Sequence, residues 1–228
     1  MPTTTAEAFE EARALDGPLG TKLAYYKSAL RALGSPFADA YDDLVARLVS
    51  GEVAAMAPAV GETMPPFLLP TEDGQLVHSG TIFAEGATVV SFNRGHWCPF
   101  CRLEVHAQAA AAEEIAARGG RIVSIAPEPA AFLRKLREAT GAPFMFLTDL
   151  DSAYALALGL VMRVDDALHG LMLERGLDLT RFHGNDNWLL PVPATFVVAR
   201  GGVIRARHVD PDFRTRMAID QILATLPG

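Results

Sequence analysis

Between Ala38 and Leu48 the apolar residues Tyr41, Leu44, Val45 and Leu48 fall on one helical face, while Asp42, Asp43 and Arg47 fall elsewhere. That is the spacing of an amphipathic helix. Ala-rich sequence of helical character fills residues 1–60, and Gly17-Pro18-Leu19-Gly20 and Gly34-Ser35-Pro36 divide it into three expected helices. Near Gly61 the pattern changes. Phe67-Leu68-Leu69 and Gln75-Leu76-Val77 flank Asp73-Gly74, which predicts a hairpin. Three short apolar runs follow, separated by helical patterns: Thr88-Val89-Val90-Ser91-Phe92, Ile122-Val123-Ser124-Ile125 and Phe144-Met145-Phe146-Leu147. Strands alternating with helices of this length predict βαβ units and a parallel sheet. After a helical section over about 151–176, Thr195-Phe196-Val197-Val198 and Val203-Ile204-Arg205-Ala206 flank Arg200-Gly201-Gly202 and predict an antiparallel hairpin on that sheet. Ile219-Asp220-Gln221-Ile222-Leu223 predicts a closing helix. The expected class is α/β, with a mixed central sheet flanked by helices over 61–228 and an N-terminal helical extension over 1–60.

Half the residues are hydrophobic, enough for a sizeable core. Lys and Arg total 20 against 27 Asp and Glu, a formal charge of −7, which offers no broad attraction to nucleic acid or to an anionic membrane. The N-terminal residues lack the basic and apolar regions of a secretory signal, and no uncharged apolar stretch reaches the ~18 to 20 residues that span a bilayer. A cytoplasmic protein is expected. The chain has only two cysteines, too few for a secreted disulfide framework.

Those two, Cys98 and Cys101, lie between a buried-strand pattern and a helical pattern that runs through Leu103, Val105 and Ala109 to about Arg118. Cysteines three apart on a first helical turn share one face, so their sulfurs can meet. Pro99 suits that turn because its missing N–H has no intrahelical partner there. The helix terminus favours thiolate over thiol. Cys98 is therefore expected as an exposed attacking sulfur, and Cys101, one turn deeper, as the sulfur that resolves a mixed disulfide. A half zinc site completed by His96 or His106, or a pair of inert buried thiols, are the competing readings; the strand–CxxC–helix context favours redox chemistry. Trp97 is read as packing that covers the sulfurs, and His96 either as a tuner of the thiolate or as an ordinary solvated histidine. In Leu190-Pro191-Val192-Pro193-Ala194-Thr195-Phe196 a proline directly precedes a strand, and Pro193, without an N–H, can approach the sulfurs.

The segment Phe92-Asn93-Arg94-Gly95-His96-Trp97-Cys98-Pro99-Phe100-Cys101 resembles the active site of the peroxiredoxin-like (AhpC/TSA, redoxin) branch of the thioredoxin superfamily. The likeness runs from Gly61-Glu62-Thr63-Met64-Pro65-Pro66-Phe67 to Val209-Asp210-Pro211-Asp212-Phe213. It implies a thioredoxin-like fold with Cys98 as nucleophile, Cys101 as its partner and Pro193 as the cis-proline. It needs no metal or organic cofactor, and electrons would come from a thioredoxin or glutathione system. Pro99-Phe100 between the cysteines is similar to the glutaredoxin dipeptide, which points to glutathione. The chain departs from the peroxiredoxin pattern at three places. Gly95 stands where that pattern has Thr, Ser91 where it has Pro, and Pro193 where it has the peroxide-activating Arg. Arg94 and Arg102 are near enough in sequence to act as substitutes, and are otherwise read as solvated surface residues.

Three functions follow. The leading one is a dithiol–disulfide oxidoreductase acting on an oxidised protein or small-molecule thiol. Its rival is a thiol peroxidase reducing hydrogen peroxide or alkyl hydroperoxides, with Cys98 passing through a sulfenic acid. The third is a non-catalytic redox sensor or interaction module. The N-terminal helices either form a homodimer interface or cover one face of the domain. His183-Gly184-Asn185-Asp186-Asn187-Trp188 either lines the substrate groove or connects two elements. Asp212, Arg214 and Arg216 read equally as a family feature or as an exposed charged turn.

Overall fold

The computed structural model describes residues 1–227 and begins with three helices, α1 (Thr5–Ala14), α2 (Leu19–Ala32) and α3 (Pro36–Ser50). Thr4 caps α1 by accepting the Glu7 N–H, and Pro36 opens the first turn of α3. The three elements match the expected ones because the Gly-Pro breaks are strong local signals.

Next comes an antiparallel pair, β1 (Leu68–Pro70) and β2 (Leu76–His78), in the register the Asp73-Gly74 turn predicts. Helix α4 (Ser79–Glu85) leads into β3 (Ala87–Phe92), which is buried along its whole length. Helices α5 (Pro99–Ala110) and α6 (Ala112–Ala117) precede β4 (Gly120–Ala126), and α7 (Ala130–Thr140) precedes β5 (Met145–Thr148). The chain continues through α8 (Ala153–Ala157), β6 (Val161–Arg163), α9 (Asp166–Glu174), α10 (Leu179–His183) and β7 (Leu189–Pro191). It ends with β8 (Ala194–Val198), β9 (Ile204–Val209) and α11 (Ile219–Thr225).

The main sheet has the order β5-β4-β3-β8-β9. Its first three strands are parallel, and β8 and β9 join antiparallel, so the sheet is mixed as expected. One element differs from expectation. The helical pattern over 151–176 is interrupted by β6, which pairs with β7. A three-residue strand is too short to display a period of two, so its apolar residues merge into the helical pattern around it.

Successive side chains of β3 alternate between the two faces. Val90 and Phe92 join a core that also contains Tyr26, Tyr41, Leu44, Phe100 and Phe213. Val89 joins the opposite core with Ile122, Phe146, Leu133 and Ile222. The N-terminal helices are thus packed into the same apolar body as the sheet. No helix among the described residues is long and apolar enough to cross a membrane.

Candidate active site

The C-terminal end of β3 runs into Asn93-Arg94-Gly95-His96-Trp97, and this loop delivers Cys98 to the N-terminus of α5. Gly95 makes the loop possible. Its φ is +119°, and a Cβ there would stand 2.3 Å from the Glu128 carboxyl carbon. Side chains rarely adopt that backbone region. Asn93 pins the turn from within, its Oδ1 accepting the Gly95 N–H at 2.9 Å while its Nδ2 donates to Ser124 Oγ at 2.8 Å. Glu128, two residues beyond β4, accepts the His96 N–H at 2.8 Å and lies 2.6 Å from His96 Nδ1. The His96 ring stacks on Phe132. His96 therefore braces the loop through Glu128.

Cys98 is the N-cap of α5 and Pro99 occupies its first position, as the sequence predicts. The Cys98 sulfur accepts the Cys101 N–H at 3.4 Å and a guanidinium N–H from Arg94 Nη2 at 3.1 Å. The Cys101 sulfur receives the Arg94 backbone N–H at 3.4 Å and Arg216 Nη2 at 3.5 Å. Behind it, Arg216 Nε meets Glu104 Oε2 at 2.5 Å, and Thr195 Oγ1 donates to the other Glu104 oxygen at 3.1 Å. Both cysteines are free thiols.

Burial pushes the Cys98 thiol up, but the hydrogen bonds from Cys101 and the charges of Arg94 and Arg216 prevail and bring it down to about 5. Cys101 moves the other way, raised by burial and by the charge of its neighbour. The pair is asymmetric. One sulfur is held as a thiolate and the other keeps its proton, the division a nucleophile and its resolving partner require.

Several expectations are corrected here. Cys98 is not exposed: it and Cys101 are both 0% accessible. Tyr26 and Tyr41 of the N-terminal helices stand against Phe100 with ring centroids 5.2 and 6.4 Å away, and this aromatic layer covers the turn. The sulfurs are nonetheless not inert, because charged donors face them. Arg94 is no surface residue. It is 1% exposed, and its guanidinium lies 3.9 Å from the Phe213 ring centroid, a stacking arrangement that Arg favours. Arg102, by contrast, turns away over the Phe9 ring at 4.2 Å. Arg214 and Arg216 are buried, and Arg214 pairs with Asp212 and, across to α3, with Asp42.

Pro193 is not a cis-proline, since no cis peptide bond occurs among the described residues. The chain entering it is already held extended by the pairing of β7 with β6 and by the Val192 N–H to the Leu160 carbonyl at 2.7 Å, so a trans bond carries it directly into β8. Pro193 does reach the expected end of the sheet, because Ala194 pairs with Phe92. Trp97 covers the turn, about 5.4 Å from the Arg94 guanidinium, and its indole Nε1 has no partner. His183, which closes α10, is buried rather than part of an open loop; burial is the main cause that brings its ring down to about 4. No group of three or more His, Cys, Asp or Glu that could hold a metal occurs among the described residues, so His96 and His106 do not complete a zinc site.

Sequence reasoning missed Glu104 as part of the site, although a signal was present. Glu104 and Gln108 lie three and seven residues after Cys101 on a helix face that is otherwise apolar, and both are buried. A carboxylate on such a face needs a buried cation, and the final loop supplies Arg216.

Trp97, Pro99 and Phe100 also form one wall of a cavity of about 330 Å³, whose other walls include Tyr26, Tyr41 and Phe37 from the N-terminal helices.

Residues 60–207 match the AhpC/TSA family. No curated protein matches the sequence. Among solved structures, the chain is similar to reduced Prx3 from Vibrio vulnificus in complex with hydrogen peroxide, at 21% identity and TM-score 0.59, over 73% of this chain and 97% of that one. It is also similar to the peroxidoxin BcpB from Mycobacterium tuberculosis, at 20% identity and TM-score 0.56, over 73% of this chain and 94% of that one. A third is the peroxiredoxin 6 of Arenicola marina, at 15% identity and TM-score 0.57, over 73% and 70%. At these identities the likeness establishes the thioredoxin-like fold. With the family match covering more than half the sequence, the chain belongs to the AhpC/TSA family and is a peroxiredoxin-like enzyme of thiol redox chemistry.

Proposed function

We propose that this protein is a thiol peroxidase in which Cys98 reduces a small hydroperoxide and Cys101 resolves the oxidised sulfur. The observation that carries this reading is the 3.1 Å contact from Arg94 Nη2 to the sulfur of a fully buried Cys98. A folded protein disulfide cannot dock on a sulfur with no accessible surface. Zero exposure closes the sulfur to water as well, so every oxidant waits on an opening of the layer above it; a hydroperoxide needs the smallest opening, and the thiolate it meets is already ionised. Arg94 also keeps a donor in reserve, because its Nε has no hydrogen-bond partner. Such a donor stabilises the charge that develops on the peroxide oxygens, the task left open by Gly95 and Pro193.

The cycle balances as follows. The Cys98 thiolate attacks the terminal oxygen of R–O–O–H; an S–O bond forms and the O–O bond breaks. The alkoxide leaves with the bonding electrons and takes a proton from solvent. Cys98 is oxidised to sulfenic acid and the peroxide is reduced to an alcohol, or to water when R is hydrogen. Cys101 then gives its sulfur to the Cys98 sulfur, forming the disulfide and releasing water. An external dithiol, of the thioredoxin or glutathione type, restores both thiols.

The proximity of the two cysteines also favours a second reading, exchange with a small-molecule disulfide, which needs only the thiolate and its neighbour. Rapid mixing of reduced protein with hydrogen peroxide separates the two. The peroxidase reading expects fast, stoichiometric sulfenic acid, trapped by dimedone in Cys101→Ser and absent in Cys98→Ser. Oxidation no faster than that of free cysteine, with brisk reaction towards a small disulfide, would establish the exchanger instead. The redox unit of this reading is residues 61–228, with 1–60 as its cap, in a reducing cytoplasmic setting.

A further inference from the structure

We propose that the Cys98–Cys101 disulfide unlatches the N-terminal helices: oxidation removes the counter-charge of buried Arg94, and α3 with the 212–216 loop opens to let water reach the guanidinium. The proposal needs only that the disulfide forms, whichever oxidant makes it, so it stands apart from the peroxidase reading above.

The charges of the reduced site balance. Two guanidinium groups lie within it and both are closed to solvent, Arg94 at 1% exposure and the Arg216 side chain at 0%. Arg216 has Glu104 as its carboxylate, with Nε 2.5 Å from Oε2. Arg94 makes no ion pair with a carboxylate among the described residues; its Nη2 donates instead to the Cys98 sulfur at 3.1 Å. The buried carboxyl of Glu128, beside Gly95, is already bound to the His96 N–H and ring. The anion that answers Arg94 is thus the Cys98 thiolate, which is ionised at neutral pH. A cation without a partner is costly to keep buried.

Forming the disulfide takes two electrons from the pair, releases the Cys101 proton and leaves both sulfurs neutral. Arg94 then keeps its charge, packed on the Phe213 ring at 3.9 Å with its Nε still unpartnered. An aromatic face is a weak substitute for an anion. The seal that keeps water from it is made by the N-terminal helices. Phe213 is buried and stands edge-on to Tyr41 of α3 at 5.0 Å, and the next residue, Arg214, reaches Asp42 on the same helix. Tyr26 of α2 and Tyr41 also pack on Phe100. Lifting α3 and the loop hydrates the guanidinium and leaves the sheet intact. The cap does not fill the space over the turn, because a cavity of about 330 Å³ lies between its tyrosines and Trp97, Pro99 and Phe100. Reduction restores the thiolate, and the cap closes again. The opening that a reductant needs is supplied by the oxidised state itself.

Hydrogen exchange at neutral pH tests this by comparing reduced wild type with protein oxidised by diamide. Diamide accepts the two electrons, with the Cys101 proton and one from solvent, and no peroxide is involved. The expectation is that amides of α2 and α3 exchange roughly 10- to 100-fold faster in the disulfide form. Those of α11, which belongs to the opposite core, should stay within about 2-fold. Two variants separate charge from crosslink. Reduced Cys98→Ser is neutral at that position and has no disulfide, so its α2 and α3 should exchange as fast as in oxidised wild type. In Arg94→Met there is no cation to strand, and the redox difference should fall below about 2-fold. If Arg94→Met does not fold, the Cys98→Ser arm decides alone. Equal exchange in both redox states of the wild type overturns the proposal. So does slow exchange in reduced Cys98→Ser, a difference that persists in Arg94→Met, or an acceleration that includes α11. A pair that diamide leaves reduced overturns it as well. The peroxidase reading is decided separately, by the peroxide rate of the reduced protein.

Discussion

Arg216 and Glu104 form an ion pair closed to solvent, with Nε 2.5 Å from Oε2 and side-chain exposures of 0% and 2%. The pair is the floor of the redox site, because the same guanidinium reaches the Cys101 sulfur. Removing one partner strands a buried charge, which costs roughly 3–5 kcal/mol. Arg216→Met should therefore lower unfolding free energy by that order in a urea titration. Combining it with Glu104→Gln should recover part of the loss, since no unpaired charge then remains.

After the hydrogen bond from Cys101, the charge of Arg94 is the next largest influence lowering the Cys98 thiol. A hydrogen bond to a charged group contributes roughly 1.5–3 kcal/mol, and each pKa unit corresponds to about 1.4 kcal/mol. Arg94→Met should raise the Cys98 midpoint from about 5 by roughly one to two units, read from thiolate absorbance or from the pH profile of alkylation. The peroxide rate should fall more than the lost thiolate explains, because a donor to oxygen disappears as well. A midpoint that stays near the wild-type value would show that the Cys101 hydrogen bonds and Arg216 ionise the sulfur without Arg94.

The pH dependence has a definite sign. Cys98 is lowered in the fold, by hydrogen bonds and arginine charges that outweigh burial, from an ordinary value near 9 to about 5. Its contribution to stability is complete above the unfolded value and is lost as pH falls from 9 through 5. Reduced wild type should gain stability over Cys98→Ser as pH rises through that window, and the peroxide rate should be flat near neutrality and fall about tenfold per unit below the midpoint. A stability difference independent of pH would contradict the ionised sulfur.

Gly95→Ala tests the loop geometry. The backbone is at φ +119°, and the new Cβ would collide with the Glu128 carboxyl group, to which His96 is bound. Strain of this kind costs about 1–3 kcal/mol before the clash is added. The variant should unfold at distinctly lower denaturant and lose the lowered Cys98 midpoint, as the turn that presents Arg94 is distorted. Unchanged stability would show that the loop yields easily.

The sheet was largely legible because five apolar runs carry the strand signal in their own residues, and the Cys98–Cys101 pair because strand, motif and helix are contiguous. What escaped the sequence is long-range. Arg216 lies 115 residues from Cys101, so nothing local distinguishes it from the exposed arginines of a charged turn. Arg94 looks like any polar loop residue until Phe213 is placed beneath it. The burial of Cys98 depends on helices that precede it by more than forty residues. The β6–β7 pair was missed for the opposite reason: each strand is too short to leave a period.

A disulfide formed at zero accessibility lies beyond the grasp of any folded reductant. Electrons from a protein donor must wait until the helices above the sulfurs breathe, and local openings of this sort have their own free energy and rate. Recycling would then saturate at the frequency of that breathing, slow in viscous solvent and indifferent to further donor, while a small peroxide needs a smaller and more frequent opening. In such a cycle the packing of α2 and α3, as much as the sulfur chemistry, would set the pace.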